Sequence, residues 1–159
     1  MSDPTELHRA IGDEMIRHAK LLQVARQHMA GTLPPGVDAA SIALLMRLVH
    51  SGPLRQRELA EHALVDPSTA SRQVAQLVAT GLVERRRDPA DGRAVLLAAT
   101  AEGLSLGERI SQRRHTVVRA VLDGWADEDL SALLTLVRRL NGALEQLRHD
   151  VHPPKELSA

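Results

Sequence analysis

Apolar residues mark out helices before any other feature of the chain is considered. Leu7, Ile11, Met15, His18, Leu22, Ala25 and Met29 recur at spacings of three and four, one face of a long helix. Asp3-Pro4-Thr5-Glu6 supplies its start: Asp3 can cap, Pro4 suits the first helical position, and Glu6 can reach back. Gly31-Thr32-Leu33-Pro34-Pro35-Gly36 breaks it. A second helix, capped by Asp38, runs to about His50 with Ile42, Leu44, Leu45, Leu48 and Val49 inward, and Ser51-Gly52-Pro53 stops it. Leu59, Ala60, Ala63 and Leu64 predict a short helix. Val65-Asp66-Pro67-Ser68 then resets the chain, with Asp66 as cap and Pro67 as first residue of a helix whose apolar side is Val74, Leu77 and Val78 and whose end is Gly81.

A change of period follows. Leu82-Val83-Glu84-Arg85-Arg86-Arg87 and Arg93-Ala94-Val95-Leu96-Leu97 read as two strands joined through Asp88-Pro89-Ala90-Asp91-Gly92, where Asp91-Gly92 tolerates positive φ. Two more helices begin near Thr100 (Leu104, Ile110, Val117, Val118, Val121) and near Asp127 (Leu130, Leu133, Leu134, Val137, Leu140, Leu144, Leu147). The terminal helices carry more apolar surface than a small central unit can cover, which points to a dimer; a monomer packing them on its own core is the alternative. The predicted fold is mainly α with a small β-hairpin: a winged helix-turn-helix over residues 38–100, a helical dimerisation region from 1–37 and 101–152, and a loose tail at 153–159.

Composition narrows the function classes. The 159 residues hold 20 Lys+Arg against 20 Asp+Glu, so the formal net charge is zero and any nucleic-acid surface must be a local patch. All the basic residues but Lys20 and Lys155 are Arg, which suits bidentate partners and also fits codon bias in a GC-rich genome. Cysteine is absent, excluding disulfides, thiolate metal sites and cysteine redox sensing. With Trp125 the sole aromatic residue, single-strand binding by base stacking is disfavoured. The N-terminus has neither a basic region nor an apolar run, so no signal peptide is expected. No stretch is apolar enough to span a bilayer, and a cytoplasmic location is expected.

Residues 54–100 carry the candidate chemistry. The helix after Asp66 presents Ser68, Thr69, Ser71, Arg72, Gln73 and Gln76, small polar and basic groups of the kind a helix needs near its N-terminus to enter the major groove. Arg72 can fork onto guanine and Gln73 can pair with adenine. The hairpin sets Arg85, Arg86, Arg87 and Arg93 against Glu84, Asp88 and Asp91. If extended, Asp91 and Arg93 share a face, so Asp91 could aim the Arg93 guanidinium into a narrow minor groove. Taken singly, each of these residues reads better as solvated surface.

The ordered set resembles the MarR family (multiple-antibiotic-resistance regulators) over about residues 5–148. The sharpest run is Asp66-Pro67-Ser68-Thr69-Ala70-Ser71-Arg72 through Leu77, Gly81-Leu82-Val83-Glu84-Arg85, Asp88-Pro89 and Asp91-Gly92-Arg93. Leu54-Arg55-Gln56-Arg57-Glu58-Leu59-Ala60, Thr100-Ala101-Glu102-Gly103 and Trp125-Ala126-Asp127-Glu128-Asp129-Leu130 match flanking pieces. The resemblance implies a bacterial, homodimeric transcriptional regulator, most often a repressor, that binds a pseudo-palindromic double-stranded operator and is released by a small effector. It implies DNA contacts from Ser68, Thr69, Ser71 and Arg72, with Arg93 the wing-tip arginine and Asp91 its partner; Gln73 and Arg87 complete the expected set. Two positions depart from the family: Arg55 stands where a capping Thr is common, and Ala126 replaces a common Ser.

The eight His residues do not form a site on this reading. His8, His18 and His28 lie ten apart, about 80° of backward rotation per step, and cannot converge on one helix. No HExxH, phosphate loop or GxSxG elbow occurs, so no catalytic residue, metal or cofactor is expected. His18, Arg47 and His50 could line an effector space. A metal-responsive regulator, and an interaction module or enzyme built on a winged helix, are the competing readings.

Overall fold

A computed structural model describes residues 4–30, 33–63 and 65–151. The elements follow in the order α1 (Pro4–Ala30), α2 (Ala39–Ser51), β1 (Leu54–Arg55), α3 (Gln56–Ala63), α4 (Pro67–Ala79), β2 (Val83–Arg87), β3 (Val95–Ala99), α5 (Ala101–Val121) and α6 (Asp127–Val151). The expected cap Asp3, the inward Leu64 and the tail from His152 lie outside the described residues.

Local chemistry accounts for the ends of the helices. The Ser41 N–H donates to Asp38 Oδ1 at 2.7 Å, capping α2 as expected. Gly52, at φ 78°, closes α2 with its N–H on the Leu48 carbonyl, a backbone conformation that a Cβ would strain. Asp66 caps α4 by accepting the Thr69 N–H at 2.9 Å. At the start of α3, where Arg55 offers no capping hydroxyl, Glu58 reaches back to accept the Arg55 N–H at 2.8 Å. That is one half of a capping box without the other.

The chain divides into two compact units between Ile110 and Ser111. In the first, α2, α3, α4 and a three-stranded sheet enclose a core of Leu44, Leu45, Leu48, Leu59, Val74, Leu77, Leu82, Val83, Leu97 and Leu106. The sheet order is β1-β3-β2, antiparallel throughout, with Leu54 opposite Leu97 and Val83 opposite Ala99. The start of α5 joins this core through small residues. A Cβ on Gly103 would sit 2.1 Å from the Leu82 carbonyl oxygen, and one on Gly107 would sit 2.8 Å from Val49 Cγ2. Leu106 is buried there, whereas Leu104 is exposed.

The second unit holds the rest of α5 and α6. Val117, Val118 and Val121 on α5 and Leu133, Leu134, Val137, Leu140 and Leu144 on α6 are all exposed in the single chain. On α1, in the first unit, Leu7, Ile11, Met15 and Leu22 are likewise exposed. Among the described residues no helix is long and apolar enough to cross a membrane.

The hairpin differs from expectation in two ways. Leu54–Arg55, expected as the start of a helix, adds a third strand before it. The return strand begins at Val95 instead of Arg93. Arg93 is held in the turn, because Asp91 accepts its N–H at Oδ1 (3.2 Å) and the Asp91 carbonyl accepts the Ala94 N–H (2.8 Å).

Candidate nucleic-acid interface

On α4 the sequence sorts into two sides. Ala70, Val74 and Leu77 are fully buried, while Ser68, Ser71 and Arg72 face solvent and Thr69 is half-buried. The exposed residues cluster at the N-terminal end of the helix, where free backbone N–H groups and the helix dipole favour a phosphate. Ser68 Oγ donates to Asp66 Oδ1 at 2.5 Å, so the carboxylate that caps the helix also orients the first hydroxyl of the set. These bonds, first that from Ser68 and then those from Thr69, hold the Asp66 carboxyl well below the usual carboxylate range.

Two expected DNA readers lie elsewhere. Gln73 is only 6% exposed, on the core side of α4, and its Oε1 is buried without a hydrogen-bond partner. One step of 100° beyond Arg72 carries it off the solvent side, so Gln73 does not join Ser68, Ser71 and Arg72 in this conformation. Gln76 also turns inward: it accepts the Ser41 hydroxyl at 3.0 Å and donates to the Gly36 carbonyl. It ties α4 to the segment leading into α2.

The wing follows α4 through Thr80–Leu82, where Thr80 Oγ1 caps the Gln76 carbonyl at 3.0 Å and Gly81 adopts φ 73°. Arg85, Arg86, Arg87 and Arg93 are exposed. Arg86 pairs with Glu84. The Asp91 carboxylate does not meet the Arg93 guanidinium, as the expected aiming role requires; it accepts the Arg93 backbone N–H and lies 3.5 Å from Arg55 Nη2. The same guanidinium nitrogen donates to Asp88 Oδ2 at 2.8 Å. The turn between Asp91 and Arg93 is too tight for the extended geometry that would set their side chains on one face.

The candidate effector residues lie in the first unit. His18 is exposed on α1, and His50 Nδ1 lies 2.5 Å from the Met46 carbonyl oxygen. Arg47 is half-buried on α2 with its Nε unpartnered. Among the described residues no three His, Asp or Glu side chains are grouped to hold a metal ion.

Known proteins resemble this chain in sequence and in fold. The model of the MarR family matches residues 38–95, which run from the Asp38 cap into β3. An uncharacterised helix-turn-helix-type transcriptional regulator of Bacillus subtilis, YxaD, is 36% identical over 107 residues, covering 67% of this chain and 75% of that one. The crystal structure of Streptococcus pneumoniae FabT in complex with DNA is similar in fold, with TM-score 0.76 at 17% identity over 89% of this chain and 99% of that one. The PcaV transcriptional regulator of Streptomyces coelicolor, solved with its natural ligand, is 28% identical with TM-score 0.59, covering 90% of this chain and 94% of that one.

Proposed function

The chain belongs to the MarR family of transcriptional regulators, and from that premise we propose that it acts as a homodimeric repressor of a pseudo-palindromic operator. Each protomer places α4 in the major groove and the β2–β3 wing along the adjacent minor groove. Ser68, Thr69 and Ser71 approach phosphates and base edges, Arg72 reads a base, and Arg87 and Arg93 follow the minor groove. The observation that carries this reading is the division of α4, with Ala70, Val74 and Leu77 buried and Ser68, Ser71 and Arg72 exposed beside an exposed arginine hairpin. The exposed apolar residues of α1, α5 and α6 support a second copy of the chain as the partner.

Duplexes recovered from a random-sequence library by the full-length protein test the reading. The recovered site should be an inverted repeat with half-sites about one helical turn apart. Affinity should fall on the order of 10³–10⁵ between 50 and 200 mM salt, because counterions are released from roughly 6–10 phosphates. Arg72→Ala should cost about 1–3 kcal/mol and relax preference at one base pair per half-site. A flat salt response, or recovery of no sequence, would overturn it.

Release by a small anionic effector completes the proposal. Arg47, half-buried with an unpartnered Nε, offers a charge-assisted donor, and His18 and His50 are the other candidates. Aromatic acids screened for operator release should include one whose effect is lost in Arg47→Ala.

A further inference from the structure

Arg55 immediately precedes α3, and its side chain is engaged in the wing. It lies on β1 opposite Leu96 of β3. Asp88 and Asp91 flank the hairpin tip, and each divides its carboxylate in the same way. Asp88 Oδ1 accepts the Ala90 N–H at 2.9 Å, and its Oδ2 accepts from Arg55 Nη2 at 2.8 Å. Asp91 Oδ1 accepts the Arg93 N–H at 3.2 Å, and its Oδ2 lies 3.5 Å from the same Nη2. One oxygen of each acid closes a local turn, and the other meets a single guanidinium. Between them the Asp88 N–H donates to the Ala94 carbonyl at 3.0 Å, shutting the loop.

We propose that Arg55 is a positioning residue for the wing: by clasping Asp88 and Asp91 it holds both turns of residues 88–94 in one pose and so presents Arg87 and Arg93 to DNA. The proposal rests on the DNA-binding reading above. A surface ion pair contributes little to overall stability, so the clasp acts on the shape of the hairpin tip and not on the fold. Its geometry favours this role over a direct phosphate contact. The Asp88 side chain is only 11% exposed and that of Arg55 is 47% exposed, so the pair forms a partly sheltered anchor at the base of the tip. The Arg55 hydrogen bond, followed by that from Ala90, holds the Asp88 carboxyl below its ordinary range. Arg55 Nη2 already meets the two acids within the wing, whereas Arg87 and Arg93 are exposed and form no ion pair among the described residues.

The sign of one charge change separates the alternatives. Asp88→Asn with Asp91→Asn keeps an oxygen to accept the Ala90 and Arg93 N–H groups but removes both carboxylates from Arg55. Bulk electrostatics then demands tighter DNA binding, because two negative charges are gone and Arg55 is freed for phosphate. The clasp demands weaker binding. Isotherms are measured on the library-selected duplex at one salt concentration, for the full-length parent, Arg55→Ala, the double Asn variant and the triple variant, each shown to be folded and dimeric. The clasp predicts a loss on the order of tenfold for Arg55→Ala, a loss for the double variant, and no further loss in the triple. In the free protein, Arg55→Ala should also speed amide exchange at Ala90, Arg93 and Ala94 without speeding it in α2 or α4. Tighter binding by the double variant, or unchanged exchange in Arg55→Ala, overturns the proposal. If the parent selects no duplex, the DNA-binding reading falls, while the exchange result still decides whether the clasp orders the wing.

Discussion

Single side chains set how tightly the winged unit is held. Asp38 caps α2, and the Ser41 N–H on its carboxylate holds that group below its ordinary range. The folded chain therefore binds this proton at lower pH than the unfolded chain does. The stabilisation is complete above about pH 4 and is lost as the pH falls through the folded value. Asp38→Ala should cost about 1 kcal/mol in urea unfolding at neutral pH, and the gap from the parent should narrow on acidification. A gap independent of pH would show that the carboxylate charge is not involved. Gln73 offers the opposite case. Its Oε1 is buried without a partner, so Gln73→Met, apolar and similar in length, should stabilise by about 1 kcal/mol and leave operator affinity unchanged. A large loss of affinity would return Gln73 to the DNA-reading set.

At the level of elements, α5 is where backbones approach most closely. A methyl on Gly103 has no room against the Leu82 carbonyl, so Gly103→Ala should destabilise by about 1–3 kcal/mol or more. On α6, nothing lies within 4 Å of a Cβ on Gly142, so Gly142→Ala should stabilise by up to about 1 kcal/mol through helix propensity alone. Thermal unfolding that moved both variants in the same direction would contradict this contrast. Neither glycine's role could be read from the sequence, where both break a helical pattern equally. Asp38, Asp66 and Pro67 could be read, because capping is local and its partners lie three residues away. The Leu54–Arg55 strand could not, since two residues give no period and only β3 makes them a strand. For α4, periodicity gave Val74 and Leu77 their buried place, but residue type put Gln73 and Gln76 among the groups offered to DNA, and both turn inward. The inward turn of Gln76 is held by Gly36 and Ser41, far away in sequence. Arg55 stood out in the sequence only as a residue that offers no capping hydroxyl; its acids lie more than thirty positions along the chain.

For the whole molecule, the exposed faces of α1, α5 and α6 set the terms of stability. Helices with Leu133, Leu134, Val137, Leu140 and Leu144 facing water gain little from their own chain, so folding and association should be coupled. The unfolding midpoint should rise with protein concentration, and light scattering should give twice the 17.3 kDa chain mass. A midpoint independent of concentration, with a monomeric mass, would contradict the dimer. Trp125 follows α5 with its backbone N–H on the Leu122 carbonyl and about half its surface in water. The chain has no Tyr or other Trp, so all of its ultraviolet emission comes from this one indole. The colour of that light is then an intrinsic gauge of what covers the turn into α6: a red shift on dilution would place the turn in the subunit contact, and no label is needed to see it.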